Sequence, residues 1–432
     1  MFAVAREGGL TGFRFVHAAD LHLDSPFTGL LAAAPPNVHQ KLLAATFDAY
    51  DSIIDLCLNE HVDALLVAGD VYDGADRSLK AQLRFVEGLK RLDAAGIRSF
   101  VCHGNHDPLD GWQAKLRFPD SCHQFGPTVE AVPLDPNDPW KATIMGVSYP
   151  KREVLENLAL GFSGVPRQGF SIGLLHCNVG SNRQHAPYSP CTVADLAMTG
   201  IDYWALGHVH TRQIVNERGP VVVYPGNPQG RHPVETGERG VYLVDVDADR
   251  EVRLSFRDVS AVRWAQVAVA IDQMSSEQEL LDAVDSALAR AFEAGGRDVV
   301  CRLAISGRGP LYAATRKTDF SATLQARIND DWAGGSPFGW CERVEIATKP
   351  AFDREEQRQA GDFVGDLLRL VDDIRADPAQ LALLREELTA LYGHRLAKKY
   401  LSDELPDEAE MSALLADAET RALEPLIGIG TP

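Results

Sequence analysis

Five short segments of this chain carry side chains able to hold hard or borderline metal ions: Asp20-Leu-His22, Gly69-Asp70, Gly104-Asn105-His106-Asp107, His176 and Gly207-His208-Val-His210. They supply Asp20, His22, Asp70, Asn105, His176, His208 and His210, a mixture of carboxylate, amide and imidazole. Such a set suits manganese, iron or zinc better than calcium, which prefers oxygen alone. Asp70 can bridge. A bridging carboxylate holds two ions roughly 3.5–4 Å apart, the spacing that clamps the attacking and leaving oxygens of a phosphate ester during in-line displacement. Two such ions also lower the pKa of a bound water toward about 7, so a nucleophile is available at neutral pH. Singly, an Asp or His at a strand end is a common turn former or a satisfied polar group, and only Gly-Asn-His-Asp and Gly-His-x-His are specific by themselves.

Each segment ends or follows a predicted strand: 13–18, 63–68, 98–102, 171–175 and 203–206, with a further strand at 143–147. Ligands of open α/β sheets gather at the carboxyl ends of the strands. Between the first two strands, apolar residues at 42, 43, 46, 47, 50, 53, 54 and 57 keep helical spacing, so a helix should cover one sheet face. Strands at 221–224 and 240–246, separated by the turn-rich segment PGNPQGRHPVETGER, close the domain.

In this order the five segments resemble the calcineurin-like metallophosphoesterases, over about Phe13 to Arg231. The resemblance implies a four-layer α/β/β/α sandwich with a small α/β capping domain and a helical C-terminal segment. It implies a first metal on Asp20, His22, Asp70 and His210 and a second on Asp70, Asn105, His176 and His208. No ligand is missing. It leaves His106 free to protonate the departing oxygen, and implies that Asp73, three places after the bridging aspartate, orients that histidine. The alternative for Asp73 is the first residue of an Asp-Gly turn. Asp107-Pro108 reads as an N-cap followed by a first-turn proline. His17 and His103 read as packed, hydrogen-bonded residues, while His185, Arg231 and His232 lie in loops that could face substrate.

The metal site specifies phosphate ester hydrolysis but not whose phosphate. The opening run FVHAADLHLDSPF, the run PGNPQGRHPVETGERGVYLVDV and the added small domain resemble SbcD- and YhaO-type bacterial DNA-repair exonucleases. That likeness implies manganese-dependent 3′-to-5′ hydrolysis of DNA, and docking of the C-terminal region on an SbcC-like coiled-coil ATPase. It leaves a homodimer open. The chain contains no Gly-Lys dipeptide, so any ATP use belongs to a partner. The net charge of -19, from 61 acidic against 42 basic residues, has the wrong sign for a protein held on DNA by overall charge. It favours a rival reading, a small-molecule or cyclic-nucleotide phosphodiesterase or phosphatase. A third, a non-catalytic scaffold for an ATPase, is opposed by the intact ligand set.

Length and pattern divide the chain into a loose leader (1–12), a phosphoesterase domain (13–260), a small βαβαβ domain (261–350), to which the resemblance assigns DNA contact, and an acidic helical region (351–432). Within the last, Asp377-Pro378 should cap a helix, and Leu381, Leu384, Leu388 and Leu391 keep heptad spacing in a hairpin packed on its own protein. The seven scattered cysteines include no Cys-x-x-Cys pair, and no apolar run reaches the roughly 20 residues that span a bilayer. The expectation is free thiols in a reducing cytoplasm, with no membrane attachment.

Overall fold

The computed structural model describes residues 12–25, 27, 34–74, 78–112, 114, 116–180, 188–293, 296–349, 354–394 and 405–427. The chain divides into two compact units, the first comprising Met1–Gln266, Arg290–Arg302 and Ile328–Glu342, the second Val267–Ala289, Leu303–Arg327 and Arg343–Pro432.

The first unit begins with strands β1 (Phe13–Ala18), β2 (Ala64–Ala68), β3 (Arg98–Cys102) and β4 (Cys122–Gln124), parallel neighbours in one sheet. Helices α1 (Pro36–Asn59) and α2 (Leu79–Ala94) make the crossovers from β1 to β2 and from β2 to β3. Pro36, a residue that cannot donate to a preceding turn, opens α1, and the Ser78 side chain caps α2 by accepting from the Ala81 amide. The chain then lays down a second sheet with β5 (Glu130–Pro133), β6 (Ala142–Gly146) and β7 (Phe170–His176). A small ribbon of β8 (Asn178–Val179) and β9 (Pro190–Cys191) follows, then helix α3 (Val193–Met198). β10 (Tyr203–Gly207), β11 (Gln213–Asn216) and β12 (Val221–Tyr224) complete the second sheet, and β13 (Gly240–Val246) and β14 (Val252–Asp258) return to the first. The two sheets have the orders β14-β13-β1-β2-β3-β4 and β11-β12-β10-β7-β6-β5.

The central strands are apolar on both faces, as strands covered on both sides must be. In β2, Ala64, Leu66 and Ala68 point into the core between the sheets, while Leu65 and Val67 pack under α1 and α2. In β10, Tyr203 and Ala205 join the same inter-sheet core, while Trp204 and Leu206 pack outward against Leu196 of α3 and Phe162 of a short 3-10 turn. Helices, sheet, sheet and helices therefore form the four layers that the resemblance implied. The same alternation carries His17 inward from β1, fully buried, with Nδ1 3.0 Å from the Tyr203 hydroxyl and Nε2 3.2 Å from the Leu206 carbonyl oxygen. It is a packed histidine.

A three-stranded sheet, β15 (Val262–Ala270), β16 (Asp298–Arg308) and β17 (Gly339–Lys349), carries β16 in the middle. Helix α4 (Glu277–Glu293) lies between β15 and β16 in the chain, and α5 (Tyr312–Thr315) and α6 (Phe320–Trp332) between β16 and β17. The division between the two units runs through these three strands.

The rest of the second unit is helical: α7 (Arg354–Gln359), α8 (Phe363–Ala376), α9 (Pro378–Glu387), α10 (Thr389–Gly393) and α11 (Glu408–Ile427). The Asp377 side chain caps α9 by accepting from the Ala379 amide. Arg354 ties three of these helices together, bonding Glu419 of α11 at 2.7 Å and Asp372 of α8 at 2.6 Å. The leucine heptad is interrupted, since α9 ends at Glu387 and α10 starts at Thr389, leaving Leu381 buried and Leu391 exposed. Among the described residues no helix is long and apolar enough to cross a membrane, and all seven cysteines are free.

Candidate metal centre

Asp20 and His22 follow β1, Asp70 follows β2, Asn105 and His106 follow β3, His176 ends β7, and His208 and His210 follow β10, all in the first unit. The structure brings all of them together. Parallel pairing aligns the ends of β1, β2 and β3 in one sheet and of β7 and β10 in the other. The backbone must then turn sharply to aim the side chains inward. Asp20, His22, Asp70 and His208 all have left-handed backbones, with φ of 53°, 43°, 52° and 103°. Each such residue costs about 1–3 kcal/mol and persists only where its surroundings over-determine it. Here the Asp20 amide donates to the Gly69 carbonyl and the His22 amide to the Asp70 carbonyl, both at 3.0 Å.

The ligand atoms face one another at hydrogen-bonding or near-contact distance. His22 Nε2 lies 3.2 Å from His210 Nε2. Asp70 Oδ2 lies 3.3 Å from His176 Nε2 and 3.9 Å from His22 Nε2. Asn105 Oδ1 sits 3.0 Å from His176 Nε2 and 3.2 Å from His208 Nδ1. Asp20 accepts from the His208 amide at 3.0 Å. Among the described residues three metal-capable groupings emerge: Asp20, His22 and His210; Asp20, Asp70 and His176; and His22, Asp73 and His106.

The residues fit divalent ions. Asp20 and Asp70 are each 1% exposed, lie in one grouping with each other, and among the described residues neither makes an ion pair with Lys or Arg; imidazoles and backbone amides supply their partners. Buried charge needs a counter-charge. His22 Nδ1 is buried without a hydrogen-bond partner. Space is reserved as well. A Cβ on Gly104 would stand 2.3 Å from Asp70 Oδ1 and 2.8 Å from the His176 ring, and one on Gly69, at φ +87°, would stand 2.4 Å from His176 Nδ1.

Second partners fix the imidazole tautomers, as they do around bound metals. His176 Nδ1 lies 2.9 Å from the Ala68 carbonyl, which can only accept, so Nδ1 donates and Nε2 is left as the nitrogen that faces the site. His210 Nδ1 donates to Glu235 Oε1 at 2.7 Å with the same result. Burial pushes the Asp20 carboxyl up to about 6, against the pull of His176 and His210. Burial also opposes charge on Asp70 and His176, yet each overrides it for the other: Asp70 stays well below the usual carboxylate range, while Asp70 and then Asp20 raise His176 to about 9. His22 is depressed by burial and by the Arg231 charge, and so is neutral, the form that ligates.

His106 belongs to the third grouping only, with His22 and Asp73. Its side chain is 36% exposed, and its Nδ1 donates to Asp73 Oδ1 at 2.5 Å. Burial is the largest influence and disfavours its charge, but the bond to Asp73 and the Asp70 and Asp73 charges together outweigh it and raise the pKa. Asp73 Oδ2 accepts from Ser25 and, at 3.0 Å, from Arg231 Nη1.

Two residues here escaped the sequence. No helix begins at Asp107-Pro108; Asp107 is instead fully buried and accepts from the amides of Asp70, Val71 and Gly104 at 3.2, 2.9 and 2.7 Å, with His103 Nδ1 at 3.1 Å. It pins the turn after β2 to the turn after β3. Glu235 is the other; its remaining oxygen accepts from the Arg231 amide at 2.7 Å and the His232 amide at 3.2 Å. Burial would raise its pKa, but His210 and Arg231 hold it well below the usual range. Spacing four residues past an Arg-His pair gave no signal for either role. His232 is exposed, with Nδ1 3.4 Å from the Val234 amide, and His185 lies outside the described residues.

Residues 13–212 match the family model of the calcineurin-like phosphoesterases, and residues 264–349 that of the metallophosphoesterase YhaO middle domain. Over 424 residues the chain is 33% identical to the metallophosphoesterase YhaO of Bacillus subtilis, covering 96% of this chain and 100% of that protein. It is 29% identical over 216 residues to the DNA double-strand break repair protein Mre11 of Sulfurisphaera tokodaii, covering 47% of this chain and 54% of that one. Against the SbcD component of the Bacillus subtilis nuclease SbcCD it is 26% identical over 273 residues, covering 55% and 67%.

Proposed function

The chain belongs to the calcineurin-like metallophosphoesterases and is a hydrolase, and from that premise we propose that it hydrolyses DNA phosphodiester bonds as a two-metal 3′-to-5′ exonuclease. The observation that carries the reading is the convergence of Asp20, His22, Asp70, Asn105, His176, His208 and His210 around two buried carboxylates beside His106. The choice of DNA is supported by the similarity to Mre11 and to the SbcD component of SbcCD.

Asp20, His22, Asp70 and His210 would hold one ion and Asp70, Asn105, His176 and His208 the other, manganese first, iron or zinc next. When bound, such ions would neutralise phosphate charge and acidify a water, so that its proton passes to solvent as its oxygen attacks phosphorus. The chain's own residues do the rest. Ala68 and Glu235 aim the lone pairs of His176 and His210. Asp107 keeps Asp70 aligned with the Gly104-Asn105 turn. With Nδ1 committed to Asp73, His106 offers the proton on Nε2. As the water oxygen bonds to phosphorus and the P–O bond to the departing alcohol breaks, that proton passes to the leaving oxygen.

The partner reading, a coiled-coil ATPase of the SbcC type in the cytoplasm, is supported by apolar residues left in solvent on the second unit's helices. Phe363 is 68% exposed, Leu383 63% and Leu370 54%. The net charge of -19 favours a small phosphodiester instead. Both readings meet one test. With manganese, the purified protein should degrade linear duplex DNA, and His106→Ala should stop cutting while metal content stays near wild type. Hydrolysis of an aryl phosphodiester or cyclic nucleotide with no action on DNA or RNA in manganese, iron or zinc would reject the nuclease.

A further inference from the structure

The segment between β12 and β13 reaches both halves of the site, and it does so through one closed loop. Glu235 folds back on the amides of Arg231 and His232 and spends its other oxygen on His210, at the metal side. From the same loop the Arg231 guanidinium crosses to the acid side. There its Nη1 bonds Asp73 Oδ2 at 3.0 Å and the Ser25 hydroxyl, which donates to that same carboxylate oxygen. Asp73 thus uses Oδ1 for His106 and Oδ2 for Arg231 and Ser25. Arg231 is 15% exposed at its side chain, so the ion pair is shielded from water.

We propose that Arg231 is a positioning residue for proton donation: it locks the Asp73 carboxylate in the plane that holds His106 with Nδ1 bonded and Nε2 directed at the leaving oxygen. It acts through Asp73 and not by gripping substrate phosphate. A carboxylate held on one oxygen alone can swing about its Cβ–Cγ bond. A guanidinium and a hydroxyl on the second oxygen remove that freedom. Both contacts come from Nη1, and a lysine supplies the charge on a shorter stem with a head of different shape, so it replaces the arginine only in part.

The inference rests on His106 being the proton donor, and the experiment separates the two claims. Hydrolysis of aryl phosphodiesters, from the 4-nitrophenyl ester to the phenyl ester, is measured in manganese for the wild type, His106→Ala, Arg231→Met, Arg231→Lys and the double variant His106→Ala/Arg231→Met. A 4-nitrophenolate leaves without a proton and a phenolate leaves poorly without one, so loss of proton donation grows along the series. His106→Ala should lose about 10²–10⁴-fold on the phenyl ester. Arg231→Met should lose at least about tenfold more kcat on the phenyl than on the 4-nitrophenyl ester, with KM unchanged. Arg231→Lys should fall between Arg231→Met and wild type, and the double variant should be no slower than His106→Ala. Bound manganese, measured on each protein, reports whether the site is formed. If Arg231→Met fails to fold, Arg231→Lys takes its place, with a leaving-group dependence steeper than wild type.

A raised KM with the leaving-group dependence of the wild type would make Arg231 a substrate contact and overturn the inference. Equal losses along the series would do the same, by reducing Arg231 to a structural support. If His106→Ala itself shows no steeper dependence, the proton-donor reading falls first and this inference with it. A steep His106→Ala beside a flat Arg231→Met removes only the role given to Arg231.

Discussion

His17 offers a quantitative check on the core that supports the site. Burial lowers its pKa from 6.5 to about 3, only partly offset by the bond to the Leu206 carbonyl. In the unfolded chain the imidazole takes its proton near pH 6.5; in the folded chain it does so only near 3. A depressed folded value means that stability is complete above pH 6.5 and drains away as pH falls toward 3, because only the unfolded state gains the proton in that window. Between pH 7.5 and pH 5 this single group should cost about 2 kcal/mol, at about 1.36 kcal/mol per unit of pH below 6.5. His17→Gln keeps a donor for Leu206 and an acceptor for Tyr203 without a titrating ring. Urea unfolding read by hydrogen exchange of the β1 peptide follows the unit that holds His17, so the second unit does not blur the transition. Acid effects from other groups are common to both proteins, and the difference between them isolates His17. Wild-type and His17→Gln stabilities that fall in parallel from pH 7.5 to 5 would refute the reasoning.

Three further outcomes follow from the geometry. Gly104→Ala should abolish bound manganese, since its Cβ would stand 2.3 Å from Asp70 Oδ1, and elemental analysis of the purified variant checks it; normal metal content would mean the turn has slack. Glu235→Gln should weaken manganese binding about 10–100-fold, by loosening His210, in isothermal titration at neutral pH. Removal of divalent ions with a chelator should eliminate hydrolysis and lower stability, by about 2.7 kcal/mol per site where the metal had stood at 100 times its Kd; an unchanged melting temperature would argue against binding at the buried carboxylates.

The sequence revealed those parts of the molecule whose signals are local. Apolar runs bounded by turn residues marked β1, β2, β3, β7 and β10, and the polar motifs at their ends marked what the sheets bring together. Edge strands gave little to read: β4 has three residues, and β14, Val-Arg-Leu-Ser-Phe-Arg-Asp, alternates like many surface segments. Asp107 was misread because a buried acceptor of several amides and an N-cap have the same local sequence, and only the amides supplied by the turn after β2 distinguish them. Glu235 and Arg231 work through partners far along the chain, such as Ser25, 206 residues from Arg231. The left-handed turns at Asp20, His22, Asp70 and His208 were equally hidden, because none of these residues is glycine. The leucine heptad in the C-terminal region was legible as spacing but not as a helix break, which Leu388 itself does not announce.

The bond from the His208 amide to the Asp20 carboxylate joins residues 188 positions apart. A ribosome must therefore release nearly half the polypeptide before this corner can close, and any cation that Asp20 and His22 attract earlier sits on a partial, exchangeable seat. Selection of the working ion falls to the finished protein, after the Gly-His-Val-His segment has emerged and β10 has zipped onto β7. The composition of the metal pool at that late moment, rather than during early synthesis, would then decide which ions the completed site takes up.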